Sequence, residues 1–482
     1  MRWTILLGAW ITLVTGCVSS RPTATVPATR SSVIATSMLP RSLLSLERWR
    51  KDPRFAHAIW GVLLENDGGE SLFETNADIL MTPASVRKLF AGAAVAECLG
   101  MHSRLETELW LDGIQRGSVF EGTVIIRGGG DPSLGGRYHD DRDRTLFPFV
   151  DAIRSRGIDK VDGSVLADVS FFARELIPDS WKVGNIGSTY AAPVDALAYN
   201  ENVVGVRVLR QECGGMATMT DPPFVESRNE LRCGATDSIA VTANQKNDLR
   251  VTGETMASES PLITRVAIQN PGLYAARALE DLLERNGVSV SGESRLSPTS
   301  AGGEKVAVIP SPFIYQLLGT VLRNSHNLYT EMLLRDIGLP SSQKSFADGA
   351  RREREFLTLE LGLDPHEFSF ADGSGLSLDN MVTPRAVLRL LRYMDDPVRK
   401  QVYASLLATP GGEGTLRERL LPLTGRLVGK TGTVARVNAL VGMVVSESGQ
   451  RRRFAIIINN HLADGDEAEK AIDEIVAEMA SM

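Results

Sequence analysis

The stretch Pro83-Ala84-Ser85-Val86-Arg87-Lys88 opens an apolar segment that continues to about Leu99. A proline followed by apolar residues predicts a helix with a largely buried surface. Residues three apart share a helix face, so the side chains of Ser85 and Lys88 are expected to touch. A serine beside a lysine is a candidate pair of nucleophile and base. Alone, this Ser-x-x-Lys pattern is more often a pair on a helix surface.

Two other short motifs follow along the chain. Ser325-His326-Asn327 has the pattern Ser-x-Asn, and Lys430-Thr431-Gly432 precedes two strand candidates, Ala439–Val445 and Arg453–Asn459. The polar turn between these strands predicts a hairpin. Each motif alone is weak. The three motifs in this order, with the first on a helix and the last at a strand, indicate serine acyl transfer.

The chemistry of acyl transfer needs a base for the weak serine nucleophile. Lys88 can act as that base if burial and a second cation lower its pKa, and Lys430 is expected to be that cation. The positive end of the helix favours negative charge developing on Ser85. Backbone N–H groups of Ser85 and Thr433 are expected to form the oxyanion hole.

The remaining motif residues are expected to bind the substrate and its leaving group. Ser325 would relay a proton, together with Lys88, toward the leaving amine. Asn327 would hydrogen-bond the peptide backbone of the substrate. Lys430 and Thr431 would hold its terminal carboxylate. The substrate-binding residues of the last motif and its strand are Lys430, Thr431, Gly432 and Thr433.

Further stretches extend the pattern beyond these motifs. Arg127–Leu134 is RGGGDPSL, Tyr190–Asn202 is YAAPVDALAYNEN, and Ala371–Ser377 is ADGSGLS, followed by Asn380 and Val382-Thr383-Pro384. With these stretches the chain resembles the class C low-molecular-mass penicillin-binding proteins, the D-alanyl-D-alanine carboxypeptidase and D,D-endopeptidase family. The resemblance runs from about Leu43 to the end.

The resemblance implies an α+β fold. It is a penicillin-binding transpeptidase-like (β-lactamase-like) domain, with an antiparallel sheet and flanking helices, interrupted by a mostly β insertion. Residues 43–104 and 266–482 would form the catalytic domain and residues 105–265 the insertion, with a smaller subdomain around 211–250. The 240 positions between Ser85 and Ser325 fit an insertion, since this gap is far shorter in class A β-lactamases.

The resemblance also implies the reaction, which is attack of Ser85 on a D-alanyl carbonyl of a peptidoglycan stem peptide. Release of D-alanine would make the enzyme a carboxypeptidase, and release of a cross-linked side-chain amine an endopeptidase. β-Lactams would be covalent inhibitors. Two alternatives stay open: a serine β-lactamase, which needs fast deacylation, and a catalytically inactive lipid-anchored peptidoglycan-binding scaffold, against which the intact motifs argue.

Net charge and the absence of certain motifs limit which other partners the protein is expected to bind. The formal net charge of −7 argues against nucleic acid as the main partner. The chain has neither a His-Glu-x-x-His nor a Cys-x-x-Cys motif, so no metal is expected. The implied reaction also needs no cofactor.

The N-terminus predicts export. An apolar run, Trp3–Val14, follows Arg2 and is too short to span a bilayer, which is typical of a signal peptide. Val14-Thr15-Gly16-Cys17 resembles a lipoprotein cleavage site, so residues 1–16 would be removed and Cys17 lipidated. Residues 17–42, rich in Ser, Thr and Pro, predict a flexible tether. The product would be a periplasmic or cell-surface lipoprotein and, if the host is Gram-negative, would be anchored in its outer membrane.

Three cysteines and one histidine complete the expectations. Cys213 and Cys233 flank a polar, turn-rich stretch, and an oxidising compartment favours a local disulfide between them. Cys98 lies in the apolar helix and is expected to be buried. His326 stands where aspartate is frequent in the family, and we expect it to face solvent.

Overall fold

The computed structural model describes residues 42–212, 216–339, 343–395 and 403–482. The α-helices in these ranges are α1 (Leu44–Arg50), α2 (Lys88–Leu99), α3 (Phe147–Ser155), α4 (Pro271–Arg285), α5 (Ile314–Arg323), α6 (Asn327–Asp336), α7 (Phe346–Glu355), α8 (Pro384–Met394) and α9 (Gly465–Ser481). Within the described part of the chain, no helix has the length and apolar character needed to cross a bilayer.

The described chain also contains strands. They are β1 (Ile59–Asn66), β2 (Ser71–Thr75), β3 (Glu106–Arg116), β4 (Val119–Gly128), β5 (Lys160–Asp168), β6 (Val203–Arg210), β7 (Ala217–Asp221), β8 (Ser227–Cys233), β9 (Ser238–Ala243), β10 (Leu249–Thr255), β11 (Ser258–Ala267), β12 (Ser289–Val290), β13 (Arg295–Ser297), β14 (Glu304–Pro310), β15 (Phe368–Ser369), β16 (Met381–Val382), β17 (Leu427–Val434), β18 (Val437–Val445) and β19 (Arg451–Asn459). Six of them, β6–β11, follow one another without an α-helix between them.

The two ends of the described chain build one antiparallel sheet, in the order β17-β18-β19-β1-β2. Side chains alternate across a strand, so neighbouring apolar residues of β1 enter different cores. Leu63 packs with α2, α5, α6 and α8 on one face. Val62 and Leu64 pack with α1 and α9 on the other. The predicted antiparallel sheet between helices is therefore confirmed.

Helix α9 shows why the C-terminal sequence folds as predicted. Asp464 caps its first turn by accepting a hydrogen bond from the backbone N–H of Glu467 at 2.8 Å. The apolar face that the sequence predicts for this helix is confirmed, because its members are buried against the five-stranded sheet: Ala468, Ala471, Ile472, Ile475, Val476 and Met479.

A second sheet has six strands, and its residues lie in the sequence between the two segments that form the first sheet. Its order is β12-β5-β4-β3-β14, with β13 also paired to β5, and α4 packs against β5. The strand pairing of this sheet continues beyond the predicted boundary at residue 265. Residues 289–310 pair with β5 and β3, so the chain leaves this sheet only after Pro310.

Two three-stranded sheets complete the insertion, β11-β6-β7 and β8-β10-β9. The latter spans Ser227–Thr255, near the predicted subdomain at 211–250. Among the described residues 106–267, α3 is the one α-helix, so the predicted mostly β character is confirmed.

The cysteines have different surroundings. Cys98 is a half-buried free thiol, less enclosed than predicted. Cys233 is disulfide-bonded. Cys213 lies outside the described residues, so its pairing with Cys233 stays a prediction. Cys17 and the segments 1–16 and 17–41 also lie outside them.

Candidate active site

The candidate nucleophile lies in a tight turn where two elements meet. Ser85 belongs to a 3-10 turn, Ala84–Arg87, that leads directly into α2. Ala84 has a left-handed φ of 48°, and such non-glycine residues cost about 1–3 kcal/mol and cluster at functional sites. A Cβ on Gly375 would lie 2.0 Å from the Ala84 carbonyl oxygen, and one on Gly432 would lie 2.7 Å from that of Pro83. Two glycines therefore allow neighbouring backbone to enclose the turn.

Lys88 lies under Ser85 and is fully buried. Its Nζ is 2.8 Å from Ser85 Oγ, 2.6 Å from Asn327 Oδ1 and 2.5 Å from the Ser374 carbonyl oxygen. Burial lowers the pKa of Lys88 to about 7, although the carboxylates of Asp372 and Glu331 oppose the shift. The neutral amine is therefore well populated at neutral pH, as a general base requires.

Lys430 and Ser325 form a second pair of lysine and serine. Lys430 Nζ is 2.9 Å from Ser325 Oγ and 2.8 Å from the Thr431 carbonyl oxygen. Burial, and then the nearby charge of Lys88, hold the pKa of Lys430 well below its ordinary value. The direct contact of Ser325 is therefore with Lys430, and the proton relay of Ser325 with Lys88 stays a prediction.

Two buried acids to which the sequence prediction gave no role support the site: Asp372 in the loop before β16, and Glu331 on α6. Asp372 accepts hydrogen bonds from the backbone N–H groups of Gly375 and Ser377, each at 2.7 Å. Glu331 accepts one from the N–H of Ser374 at 2.7 Å. Burial, followed by the charge of Asp372, raises the pKa of Glu331 to about 7. These bonds fix the Ser374 carbonyl that contacts Lys88.

A buried ion pair fixes the turn from the side. The Arg87 guanidinium donates to both carboxylate oxygens of Glu353, at 2.6 and 2.5 Å. It also lies over the ring of Phe370, 3.8 Å from the ring centre. Because Arg87 lies between Ser85 and Lys88, this bidentate pair restrains the orientation of the turn.

Asn327 connects the site to the insertion. Its Nδ2 donates to the carbonyl oxygen of Tyr190 at 2.7 Å, while its Oδ1 contacts Lys88. Tyr190 also lines a cleft of about 400 Å³, which we call the catalytic cleft. The lining residues are Ser85, Lys182, Asn185, Tyr190, Ser325, Asn327, Gly375, Leu376, Leu378, Thr433, Val434 and Ala435.

The last motif forms the edge of the five-stranded sheet. Thr431 Oγ1 lies 2.8 Å from Thr415 Oγ1, and Thr433 is exposed in the catalytic cleft. A Cβ on Gly432 would lie 3.1 Å from the backbone nitrogen of Ser85. The structure therefore brings the three predicted motifs together around one cleft.

Replacing Gly432 with alanine is expected to lower the rate of Ser85 acylation about tenfold or more, because the added methyl pushes β17 away from the turn. The rate can be followed with a fluorescent penicillin. Gly465→Ala is the matched control, since its Cβ meets no atom within 4 Å. Equal acylation rates for both variants would contradict the proposed tight fit.

We expected His326 to face solvent, but its side chain is half-buried. Its Nε2 lies 3.1 Å from the carboxylate of Glu201, and its ring packs on Tyr329 with centres 4.6 Å apart. Glu201 also pairs with Arg137. Burial of Glu201 raises its pKa, but the contacts with His326 and Arg137 outweigh this effect and lower it to about 2. The insertion thus places a permanent negative charge on the Ser-x-Asn motif.

Glu201→Gln should reduce acylation by a fluorescent penicillin about fivefold, because the partly exposed carboxylate that positions His326 and pairs with Arg137 is lost. The melting temperature should stay close to that of the wild type, and Glu201→Asp should recover part of the rate. Glu259→Gln, an exposed change on β11, is the control. A wild-type rate for Glu201→Gln would exclude the positioning role.

Comparisons with known proteins agree with this geometry. Residues 43–479 match the model of the D-Ala-D-Ala carboxypeptidase 3 (S13) family. A D-alanyl-D-alanine carboxypeptidase of Actinomadura sp. (strain R39) is 28% identical over 438 residues, covering 85% of this chain and 79% of the relative. D-alanyl-D-alanine carboxypeptidase DacB of Haemophilus influenzae is 25% identical over 404 residues, covering 80% and 82%.

Solved structures share the fold. Penicillin binding protein 4 (dacB) from Haemophilus influenzae superposes with a TM-score of 0.79 at 23% identity, covering 88% of this chain and 97% of that one. The predatory endopeptidase Bd3459 from Bdellovibrio bacteriovorus gives a TM-score of 0.52 at 15% identity, covering 88% and 93%. With the match over 43–479, the chain belongs to the D-Ala-D-Ala carboxypeptidase 3 (S13) family.

Proposed function

We propose that this protein is a serine D-alanyl-D-alanine carboxypeptidase and D,D-endopeptidase that cleaves peptidoglycan stem peptides through an acyl-enzyme on Ser85. The observation that carries the proposal is the buried Lys88 amine, 2.8 Å from Ser85 Oγ and with a pKa near 7. Membership of the S13 family supports the same reaction.

Acylation begins with proton transfer. The neutral amine of Lys88 takes the proton of Ser85 Oγ, and the oxygen attacks the carbonyl carbon of the penultimate D-alanine. The backbone N–H groups of Ser85 and Thr433 receive the negative charge that develops on the carbonyl oxygen. The close approach of β17 at Gly432 supports this arrangement.

Departure of the leaving group then uses the second pair. The C–N bond breaks, Ser325 Oγ gives its proton to the leaving amine, and Ser325 is reprotonated from Lys430 or Lys88. The depressed pKa of Lys430 fits a substrate with a terminal carboxylate. That carboxylate supplies an opposite charge, which favours the protonated lysine when the substrate binds. Thr431 helps to hold it, and water then hydrolyses the acyl-enzyme.

Asn327 orients both catalytic and substrate groups. An amide nitrogen carries two hydrogens, and the structure uses one of those of Asn327 for the Tyr190 carbonyl. The other can bind a backbone carbonyl of the substrate. Its Oδ1 at the same time holds Lys88 in place.

The decisive test combines two measurements on the purified full chain. D-Alanine release from a stem peptide ending in D-Ala-D-Ala measures the peptidase reaction. Intact mass over hours after adding benzylpenicillin measures the acyl-enzyme. We expect D-alanine release and a lasting adduct. An adduct lost within seconds, with rapid consumption of penicillin, would indicate a β-lactamase. If the folded protein shows neither reaction, the result would indicate a catalytically inactive scaffold.

We further infer that the protein is a lipoprotein exported to the periplasm or cell surface. The support is the apolar run Trp3–Val14 followed by small residues and Cys17. Mass spectrometry of the N-terminal peptide from membranes should show a lipid-modified Cys17. Cys17→Ser should release the protein from membranes. An unmodified Cys17 in the exported protein would contradict the anchor.

A further inference from the structure

A second cleft of about 320 Å³ adjoins the catalytic cleft, and we call it the side cleft. Its residues are Arg142, Thr189, Tyr190, Asn200, Glu201, Val203, Gly205, Asp221, Arg265, Asn324, Ser325, His326 and Asn327. Tyr190, Ser325 and Asn327 line both clefts. A ligand can therefore extend from one into the other past the Ser-x-Asn motif.

The position of Ser325 indicates which part of a substrate would enter the side cleft. The catalytic cleft contains Ser85 and runs along Thr433–Ala435, whereas the side cleft shares Ser325 with it and is lined by insertion residues that include Glu201 and Arg265. In the proposed reaction the leaving amine takes its proton at Ser325. Whatever is attached to that amine continues away from the acyl group. D-Alanine is too small to extend there, but a second peptide strand would reach the side cleft.

Among the described residues, one cation of the side cleft has no acidic partner. Arg142 pairs with Asp221, and Glu201 pairs with His326 and Arg137. Arg265 is exposed on β11, and among the described residues no carboxylate or other acceptor pairs with its guanidinium. An arginine free to make two parallel hydrogen bonds suits a carboxylate.

The wall of the side cleft is held in a strained conformation. Three consecutive residues, Asn200, Glu201 and Asn202, have left-handed φ values of 50°, 58° and 58°. Such conformations persist only when their surroundings fix them. Here Asn202 Nδ2 donates to the Pro193 carbonyl at 2.9 Å. The wall is thus preorganised rather than an incidental surface loop.

We propose that the side cleft binds the leaving strand of a cross-linked substrate, with a carboxylate of that strand on Arg265. This inference rests on the proposed function and assigns an endopeptidase subsite to the insertion. In the step concerned, an ester forms between Ser85 Oγ and the D-alanyl carbonyl carbon. The amide C–N bond to the second stem peptide breaks, and its amine leaves with the proton from Ser325.

The test compares two substrates with the purified full chain: a stem peptide ending in D-Ala-D-Ala and a cross-linked dimer. Arg265→Glu should lower kcat/KM for the dimer about fivefold or more, as expected for an exposed ion pair. D-Alanine release should be unchanged. Arg207→Glu, another exposed arginine on the same sheet, is the charge-matched control. Gly205→Leu, which fills the cleft, should also affect the dimer alone.

A second comparison identifies the carboxylate. The amidated dimer keeps the leaving-strand carboxylate beside the scissile bond, which Lys430 and Thr431 would hold, and is amidated at the other carboxylates of that strand. Wild type should cleave the dimer with free carboxylates faster than this amidated dimer, and Arg265→Glu should remove the difference. Equal cleavage of both dimers by wild type, or equal loss with Arg207→Glu, would overturn the subsite. If the wild type neither releases D-alanine nor reacts with penicillin, the proposed function is overturned instead.

Discussion

Ser85→Ala is expected to lower kcat/KM for D-alanine release by at least about 10⁴-fold, because no nucleophile remains in the turn and the other groups act as a unit with it. The variant should also form no penicillin adduct in intact-mass measurements. Ser85 is only half-buried and Lys88 keeps two other partners. The fold and melting temperature should therefore be retained.

Ser71→Ala is the matched control, because the Ser71 hydroxyl donates a hydrogen bond to the side chain of Glu74 and, among the described residues, to no group of the candidate active site. It should react like the wild type. A penicillin adduct on Ser85→Ala, located by peptide mapping at another residue, would contradict the assignment of the nucleophile.

Lys88→Met should reduce the acylation rate about 10³-fold, within the range expected for loss of a general base. In the wild type, that rate should rise with pH, since only the neutral amine accepts the proton. With the pKa of Lys88 near 7, the rate should increase about tenfold between pH 6 and 8 and then level off.

The pH dependence distinguishes the base from a structural lysine. Lys470→Met, an exposed change on α9, should leave both the rate and its pH profile unaltered. Lys88→Met should retain a slow rate without the rise near pH 7. A flat profile in the wild type would contradict the role of Lys88.

Local patterns in the sequence were enough for much of the fold. The apolar segment after Ser85, the C-terminal hairpin and the buried face of α9 follow from periodicity within a few residues. The contact of Ser85 with Lys88 follows from the turn spacing alone. These features depend on neighbours in the chain, so a single sequence contains them.

Features that depend on distant partners were missed. The strands of residues 289–310 are short, and they join β5 and β3 across more than a hundred positions, so no local pattern marks them. The support given by Glu331 and Asp372 arises through backbone N–H groups, which have no sequence signature. His326 appeared solvent-facing because its partner, Glu201, lies in the insertion.

The order of strands in the first sheet sets the time at which the site can form during synthesis. Ser85 leaves the ribosome early, but β17, which lies against its turn, is among the last segments to emerge. Domains fold as their chain becomes available. The growing polypeptide therefore carries a serine without a cleft until almost its whole length is made, and a prematurely terminated product contains no working nucleophile.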